Sequence, residues 1–543
     1  MNWFYERNDE LLNSPVNKTF EELLWMTDDE FRQWVIDMRK EVVRLWDDEG
    51  IPPRVGFNKD GIIDNFQKMI SYPVHEFETL DLRTNEKDVI RNTSVVGNAV
   101  NQWFPTMMKT GISYSTKAKP KSIYDYFADD AYLDTFVTYA SRHFKRDSFF
   151  HYSIPISYGD TIDVGGYKLL VEDPQAFVDW FESNNLTQYG WDYWLCYVKD
   201  DKKYNGYDPK LIKRKATNVY VDYDFVKGVP ERCRTTVSAD RDTYNIRLYK
   251  YGQKVFPLGL KSFRVSFCQY AVNFPPLTAR YLYERYTDHI KDQDVINIWD
   301  PSSGWAGRIV GAMSVDDKRT IHYIGTDPNT DHNTGPGRTK YHEVADFFNE
   351  NVRESGSLFP KSHTYEIFQC GSEVAQFNKG FQKYKGKLDM VFTSPPYFAK
   401  EVYSDDPEQS CHKFSQYQDW VDGFLRPTLE TAVTYLRKDR YLLWNIADAA
   451  FDGKLLTLEE DSCRILKELG MEYVTTLKMA LAQMPGGNRM VETGETVTVN
   501  PITGEEEVEK ILEGKMKNFC QIDSNGKKIM LKYEPIFVFR KVK

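Results

Sequence analysis

The residues best suited to chemistry are Thr393-Ser394-Pro395-Pro396-Tyr397-Phe398. The apolar run 388–392 before them is typical of a buried parallel strand. Two consecutive prolines fix the backbone and lack amide donors, so the loop is stiff and its carbonyls are free to accept hydrogen bonds. With a hydroxyl before the prolines and an aromatic ring after them, the loop could accept both protons of a base amino group and stack on the base. A proline-stiffened strand end with a core tyrosine is the structural alternative.

Three further strands are predicted before this loop, and polar or glycine residues follow each of them. The three runs are 295–299, followed by Asp300 to Arg308 with Gly304 and Gly307; 321–325, followed by Asp327; and 365–370, followed by Gly371-Ser372-Glu373. Ligands of open parallel sheets bind at the carboxyl ends of the strands. Glycines allow a close approach, and an acidic residue after the second strand can bind two ribose hydroxyls. Together the four strand ends predict a site for a nucleoside and a base.

The elements that must hold these residues alternate between strands and helices from about residue 266. The further strands are predicted at 441–446, 472–481 and 530–539, and helices at 338–354, 417–436 and 456–469. Such alternation indicates a mostly parallel sheet with helices on both faces. The last two strands have no obvious helix between them, which predicts an antiparallel hairpin at one edge of the sheet. We expect their long connection, 485–528, to be a mobile loop.

The first part of the chain, 1–265, is predicted to be a mixed α+β region. A capping pattern at 27–30 precedes an apolar stripe of helical spacing, and short strand patterns begin at about residue 151. Basic and aromatic residues alternate in 199–215, and a shorter basic segment covers 117–121. These segments suit phosphate contact and base stacking, although an ordinary solvated loop explains them equally well. We therefore predict two regions: 1–265, a candidate for DNA target recognition, and 266–543, the nucleotide-type domain.

Composition limits the class of protein. The 543 residues carry a formal net charge of −10, which argues against nucleic acid covering the whole surface but not against a local basic groove. Seven cysteines, none in a Cys-x-x-Cys pair, indicate a reducing compartment without structural zinc. The start of the chain is acidic, and no run is long and apolar enough for a membrane span. These features predict a cytoplasmic protein without a metal site.

On these residues the chain resembles the S-adenosylmethionine-dependent DNA amino-methyltransferases, which methylate exocyclic nitrogens of cytosine or adenine. The resemblance covers roughly 273–541 and includes Phe274-Pro275 and the terminal run 533–541. It implies a Rossmann-like methyltransferase fold with a seven-stranded sheet. Ala306 stands where a second glycine is frequent, and Gly371-Ser372-Glu373 where an aspartate is usual. The implied cofactor-binding residues are Phe274, Asp300, Pro301, Gly304, Gly307, Asp327 and Ser372, and the implied catalytic residues are Ser394, Pro395, Pro396 and Tyr397.

The resemblance also implies a mechanism of direct methyl transfer. Ser394 and the carbonyl of Pro395 would accept the amino protons, while Tyr397 would stack on a flipped base. A serine at the first position of the loop slightly favours N4 of cytosine over N6 of adenine. DNA is the expected partner, a cognate restriction endonuclease is compatible with the sequence, and the oligomeric state is left open.

Three alternatives are open at this point. A similar loop could methylate RNA or a protein amide. The fold could also persist in a nucleic-acid-binding relative that has lost activity. A nicotinamide-dependent dehydrogenase would use the glycine loop, but it leaves the Ser-Pro-Pro-Tyr loop unexplained.

Overall fold

The computed structural model describes residues 13–19, 22–23, 26–49, 58–113, 120–141, 254–256, 271–353, 362–481, 517–522 and 528–543. Between 149 and 251, and between 492 and 512, it describes the course of several strands. Apart from its first residue, the basic segment 199–215 lies outside the described residues, and so do residues 117–119. Their contact with DNA stays a prediction.

The chain divides into two compact units, and these differ from the two consecutive regions predicted from the sequence, 1–265 and 266–543. One unit is Met1–Gly56 with Ser122–Gln269, and the other is Phe57–Lys121 with Tyr270–Lys543. The predicted boundary at 265 lies near the last break, but residues 57–121 pack with the C-terminal part of the chain. The cause is strand pairing over long sequence distances, for which a local sequence pattern gives no signal.

The helices give the first layer of the architecture, and 3-10 or π turns join several of them. They are α1 (Asp28–Glu49), α2 (Lys59–Ile70), α3 (Ile123–Ala128), α4 (Leu133–Ala140), α5 (Pro276–Thr287), α6 (Gly307–Met313), α7 (Lys340–Phe348), α8 (Ser410–Lys413), α9 (Tyr417–Trp420), α10 (Arg426–Tyr435) and α11 (Leu458–Glu468). The predicted helix 417–436 is thus divided by a π turn at Val421–Leu425. No described helix combines the length and the apolar character needed to cross a lipid bilayer.

The main sheet has ten strands. They are β1 (Glu78–Asp81), β2 (Glu86–Ile90), β3 (Val295–Asp300), β4 (Thr320–Thr326), β5 (Thr364–Phe368), β6 (Leu388–Thr393), β7 (Leu436–Asn445), β8 (Met471–Ala480), β9 (Asn518–Ile522) and β10 (Lys528–Lys541). The shorter strands outside it are Gly111–Ile112, Phe149–Ile156, Thr161–Val164, Tyr167–Leu170, Asp192–Leu195, Val198–Lys199, Val219–Val221, Thr236–Val237, Tyr244–Tyr251, Asn333–Gly335, Arg338–Thr339, Glu401–Val402, Ala449–Phe451, Lys454–Leu456, Glu492–Val499 and Glu506–Leu512.

The strand order confirms the predicted fold class. The main sheet runs β1-β2-β8-β10-β7-β6-β3-β4-β5, and β9 pairs with β10. Strands β5, β4, β3, β6 and β7 are mutually parallel, while β10 is antiparallel to both β7 and β8. A parallel core with an antiparallel strand inserted beside its last members is the Rossmann-like methyltransferase arrangement. The switch point lies between β3 and β6, where the chain order reverses and a ligand crevice is expected.

The sheet is longer than the seven strands that the sequence predicts. The antiparallel pair of β8 and β10 is not at the edge, because β2 pairs in parallel with β8 and β1 follows β2. The expectation of a mobile loop over 485–528 is wrong for part of this connection: β9 pairs with β10, and Glu492–Val499 pairs with Glu506–Leu512. Both corrections concern backbone pairing that the sequence does not predict, because a short, charged strand such as Glu86–Ile90 lacks the apolar pattern of a strand.

The apolar patterns are confirmed as core. Every residue of β6 is buried, as expected for a central strand covered by helices on both faces. In α1, a capping box joins Thr27 and Glu30: Thr27 N donates to Glu30 Oε2 (2.7 Å) and Glu30 N to Thr27 Oγ1 (3.3 Å). The stripe that follows is at most 5% exposed and consists of Phe31, Trp34, Val35, Met38, Val42, Leu45 and Trp46.

Candidate active site

Asp300, the last residue of β3, is a fully buried acceptor at the centre of the site. Its Oδ1 accepts hydrogen bonds from Thr393 Oγ1 (2.7 Å) and from the amide of Ser302 (3.2 Å). Its Oδ2 accepts from Arg308 Nε (2.7 Å) and from the Tyr323 hydroxyl (2.6 Å). A carboxylate has about four acceptor positions, and here four protein donors fill them. Asp300 therefore ties the glycine loop after β3 to Thr393, the last residue of β6, directly before the Ser-Pro-Pro-Tyr loop.

The glycine loop is held by close backbone contacts. Gly304 has a φ of +58°, and the buried Ala306 has a φ of +59°, which costs an alanine roughly 1–2 kcal/mol. The alanine in place of a glycine is therefore accommodated with strain. A Cβ on Gly307 would lie 2.2 Å from the carbonyl oxygen of Phe274 and 2.6 Å from Asn273 Oδ1. The predicted residues Phe274 and Gly307 thus meet through the backbone, where helix α6 begins.

We expect Gly307→Ala to destabilise the protein by about 1–3 kcal/mol, because the Phe274 backbone must move to make room for the methyl group. Gly335→Ala is the matched control, since a Cβ there meets no atom within 4 Å. Thermal melting should show a lower midpoint for Gly307→Ala and almost none of this loss for Gly335→Ala. Equal midpoints for the two variants would contradict the close contact.

Asp327 lies just after β4 and faces the same loop. Its Oδ2 accepts from the amide of Gly304 (2.9 Å) and its Oδ1 from the amide of Asn329 (3.0 Å). The Tyr341 hydroxyl also reaches this carboxylate, which keeps acceptor capacity for a hydroxyl of a ligand. Burial raises the pKa of the Asp327 carboxyl to about 6. The loop is fixed from the other side by the Tyr341 hydroxyl, which donates to the Gly304 carbonyl (2.7 Å).

The two remaining predicted cofactor residues, Pro301 and Ser372, form hydrogen bonds within the protein. Pro301 is buried, and its carbonyl accepts from Thr326 Oγ1 (2.8 Å). The Ser372 hydroxyl is 2% exposed and is hydrogen bonded to Thr428 Oγ1 (2.9 Å), so it is already engaged in the interior. The following residue, Glu373, is also buried; its Oε1 pairs with Lys413 (2.9 Å), and its Oε2 has no hydrogen-bond partner among the described residues. The Glu373 carboxylate is therefore the better placed acceptor on this segment.

The Ser-Pro-Pro-Tyr loop continues from β6 next to the glycine loop. Pro395 is buried, while Ser394, Pro396 and Tyr397 are partly exposed. The Tyr397 hydroxyl donates to Glu534 Oε1 on β10, and burial raises the pKa of this phenol well above its usual value. Phe398 has a φ of +54°, a strained conformation for an aromatic residue.

Packing explains how the strained turn after the loop persists. The Phe398 ring is in edge contact with Tyr417, Trp420 and Phe451, at centroid distances of 5.7, 6.1 and 5.7 Å. Phe398 is thus held in the core, and the partly buried Tyr397 packs against the same core. Strain of this kind is typical of functional sites.

A second carboxyl group lies beside the loop. The Tyr403 hydroxyl donates to Glu401 Oε2, and the Tyr403 ring contacts Trp305 of the glycine loop at a centroid distance of 5.5 Å. Burial raises the pKa of Glu401, and the charge of Glu534 raises it further. Trp305 and Tyr403 join the glycine loop to the segment that follows the Ser-Pro-Pro-Tyr loop.

Residues from 57–121 complete the surroundings of the site. Gly111–Ile112 pairs antiparallel with Glu401–Val402, and the amide of Ser113 donates to the Lys400 carbonyl (2.8 Å). Thr106 is hydrogen bonded to His332 (3.1 Å), whose other ring nitrogen is bonded to Tyr341 (2.8 Å). Burial lowers the pKa of His332 to about 3, so this histidine is neutral.

Sequence reasoning missed several of these residues. Glu534 lies in the terminal run that carries the resemblance, which gives it no role, and Asn445, at the end of β7, is not among the predicted catalytic residues. No pattern pointed to Thr106 or to the pairing of Gly111–Ile112. Among the described residues, no group of three or more His, Cys, Asp or Glu side chains is arranged to hold a metal ion.

Comparison with known proteins gives matches only among solved structures. No protein-family profile and no curated protein matches the sequence. A CurJ carbon methyltransferase matches at 11% identity and a TM-score of 0.26, over 50% of this chain and 54% of that one, so the chain spans about half of that protein. A 1,6-didemethyltoxoflavin N1-methyltransferase from Burkholderia thailandensis, bound to S-adenosylhomocysteine, matches at 10% identity and 0.24, over 49% and 78%. A protein named as a DNA modification methylase from Thermus thermophilus, complexed with S-adenosyl-L-methionine, matches at 18% and 0.18, over 32% and 53%.

All three are methyltransferases. Their TM-scores are too low to carry an argument about this chain, and the fold assignment rests on the strand order of the main sheet.

Proposed function

We propose that this protein is an S-adenosylmethionine-dependent methyltransferase that acts on an exocyclic amino group of a base in DNA. The observation that carries this proposal is the position of the two loops at the switch point of the sheet. Thr393, directly before the Ser-Pro-Pro-Tyr loop, donates to Asp300, the last residue of the strand before the glycine loop (2.7 Å). A cofactor bound at one loop would therefore lie next to a base bound at the other, as direct transfer requires.

The residues around the glycine loop fit S-adenosylmethionine. The Asp327 carboxylate is contacted by two backbone amides and by the Tyr341 hydroxyl and can still accept from a ribose hydroxyl. Glu373 Oε2 is a buried acceptor without a partner among the described residues, which suits the adenine amino group. A Cβ on Gly304 would meet no atom closer than 3.7 Å, so the backbone there is open to a ligand. When bound, the cofactor supplies an electrophilic methyl group on a sulfonium.

The Ser-Pro-Pro-Tyr loop would orient the base. The lone pair of a base amino group is delocalised into the ring, so the nitrogen is a poor nucleophile. Ser394 Oγ and the Pro395 carbonyl can accept the two amino protons and draw the nitrogen towards tetrahedral geometry. Tyr397 can stack on the flipped base and hold it in line for transfer. The nitrogen gains the methyl group and loses one proton to solvent or to a neighbouring carboxylate.

We favour N4 of cytosine slightly over N6 of adenine as the acceptor, because the first residue of the loop is a serine. The test is mass spectrometry of nucleosides from DNA incubated with the protein and S-adenosylmethionine. We expect N4-methylcytosine with the parent and none with a Ser394→Ala/Tyr397→Ala variant. If N6-methyladenine appeared instead, the assignment of the acceptor base would change and that of the active site would stand. Neither product, with cofactor binding intact, would contradict a DNA substrate; the same assay on RNA and protein would then follow.

The pH dependence of cofactor affinity gives a further prediction. Only the ionised carboxylate of Asp327 offers all its oxygen positions to the ribose, and burial raises its pKa to about 6. Affinity should therefore be full above this value and fall by about tenfold near pH 5. Asp327→Asn should bind more weakly at neutral pH and lose this dependence. Isothermal titration with S-adenosylhomocysteine measures both, and a flat profile for the parent would contradict the assignment.

A further inference from the structure

The ends of β6 and β7 and the middle of β10 supply the groups around the Tyr397 hydroxyl. The Tyr397 hydroxyl donates to Glu534 Oε1, and the Asn445 side chain at the end of β7 lies within hydrogen-bonding reach of the same carboxyl group. Asn445 Nδ2 donates to the Pro535 carbonyl (3.0 Å), which fixes the orientation of the amide. Glu534 is thus the link between the loop after β6 and the buried asparagine of β7.

One atom in this arrangement lacks a partner. Asn445 is fully buried, and its Oδ1 accepts no hydrogen bond among the described residues. A buried carbonyl oxygen without a donor is costly. The amide nitrogen is already used on Pro535 and Oδ1 can only accept, so a donor has to come from outside the asparagine. A proton on the neighbouring Glu534 would supply it.

We propose that Glu534 is a positioning residue that works in its acid form. Its hydroxyl donates to Asn445 Oδ1 and its other oxygen accepts from the Tyr397 hydroxyl. The chain Tyr397–Glu534–Asn445–Pro535 is then fully satisfied, and it holds the Tyr397 ring in the orientation that a stacked base needs. The role of Glu534 in catalysis rests on the proposed function, whereas the protonation of its carboxyl group does not.

Burial of Glu534 favours the acid form of its carboxyl group. It is the main cause that raises the pKa of this carboxyl, and the charge of Glu459 adds to it; the hydrogen bonds of Tyr397 and Asn445 with the carboxylate act in the opposite direction. Glu401 is the other carboxyl whose charge couples to Glu534. Lys517 is paired with Glu459 rather than with Glu534.

The sign of the resulting pH dependence follows from linkage. The folded-state pKa of Glu534 is raised above its unfolded value of 4.5. Its contribution to stability is therefore fully present below the unfolded value and is lost as pH rises through the folded value. Glutamine in its place cannot ionise, yet it offers one donor and one acceptor, as the acid does. Glu534→Gln should remove this part of the pH dependence.

Thermal melting of the full chain from about pH 5 to 9 tests the protonation without any substrate. For Glu534→Gln, we expect a midpoint that rises relative to that of the parent as pH increases. Glu534→Ala should melt below the parent, with the largest deficit at acid pH. Asp327 also titrates, but it is present in all three proteins and cancels in the differences. The charge of Glu534 raises the pKa of Glu401, so the titration of Glu401 belongs to the same pH-dependent difference. A constant, equal deficit for Glu534→Gln and Glu534→Ala would overturn the proposal.

Methyl transfer tests the positioning role separately. We expect kcat/KM of the parent to decline at alkaline pH, and Glu534→Gln to lose this decline. Glu534→Ala should lower kcat/KM by about tenfold, mainly through a higher KM for DNA, and adding Tyr397→Phe should cost little more. If Glu534→Gln retained the alkaline decline, the positioning role would be wrong. If the melting differences follow pH but no variant or parent methylates DNA, the proposed function fails and the protonation of Glu534 stands.

Discussion

Tyr397→Ala is expected to lower kcat/KM for methylation of DNA by at least about 100-fold. Stacking of a base on an aromatic ring contributes about 1–3 kcal/mol, and loss of alignment with the methyl donor adds to this. Tyr397→Phe keeps the ring and loses the hydrogen bond to Glu534, so we expect a loss of about tenfold or less. Single-turnover kinetics with saturating cofactor would separate the effect on transfer from that on DNA binding.

Two controls make this prediction specific. Cofactor affinity of Tyr397→Ala should remain within about threefold of the parent by calorimetry, because the ring belongs to the base side of the site. Tyr473→Ala removes a tyrosine that is 46% exposed on β8 and should leave transfer within about twofold. If the phenylalanine variant were as impaired as the alanine variant, the hydroxyl rather than the ring would be the essential group.

Asp300→Ala is expected to destabilise the protein by about 3–5 kcal/mol and to lower the melting midpoint by roughly 10 °C. Arg308 is 5% exposed and would keep a buried charge without its carboxylate partner. The Tyr323 hydroxyl and Thr393 Oγ1 would lose their acceptor as well. Calorimetry and a denaturant titration would both report the loss.

The buried ion pair allows a sharper test of the same prediction. Removing the second partner as well, in Asp300→Ala/Arg308→Met, should recover a large part of the lost stability, since no uncompensated charge is left. Asp288→Ala is the surface control: its pair with Lys291 joins two side chains that are 75% and 67% exposed, so we expect a change below about 0.5 kcal/mol. If the double variant were less stable than Asp300→Ala, the uncompensated charge of Arg308 would not be the main cause of the lost stability.

The sequence predicts the central strands well, because each is a mainly apolar run that ends in glycine or polar residues. The run 388–392 is the clearest case: all of it is buried, and its one charged residue, Asp389, pairs with Arg437 and Arg440. The pairs of β2 with β8 and of Gly111–Ile112 with Glu401–Val402 could not be predicted in this way. Their partners are hundreds of residues apart, and a two-residue strand has no periodicity.

The sequence predicts which loops form the candidate site, but not which side-chain atoms in them are free to bind a ligand. Asp300 was expected to bind the cofactor, and this stays a prediction, although four protein donors already occupy its carboxylate. The sequence-based prediction names Ser372 and not Glu373, and only packing shows that the Ser372 hydroxyl turns to Thr428. Hydrogen-bond partners depend on side-chain direction across several elements, which spacing along one chain does not encode.

The division of the chain into interleaved units has a consequence for its biosynthesis and its dissection. Three chain crossings, after Gly56, Lys121 and Gln269, join the two units. Strand β2, next to the edge strand β1, is made early and can pair with β1, but it must wait for β8, nearly four hundred residues later, before it can join the main sheet. Closure of so long a loop delays folding and leaves a strand edge open to aggregation meanwhile. A fragment that starts at 266 would lack the strands β1 and β2 and the strand that pairs with Glu401–Val402. The sheet of the methyltransferase fold can therefore not be obtained complete by truncating the chain at one position.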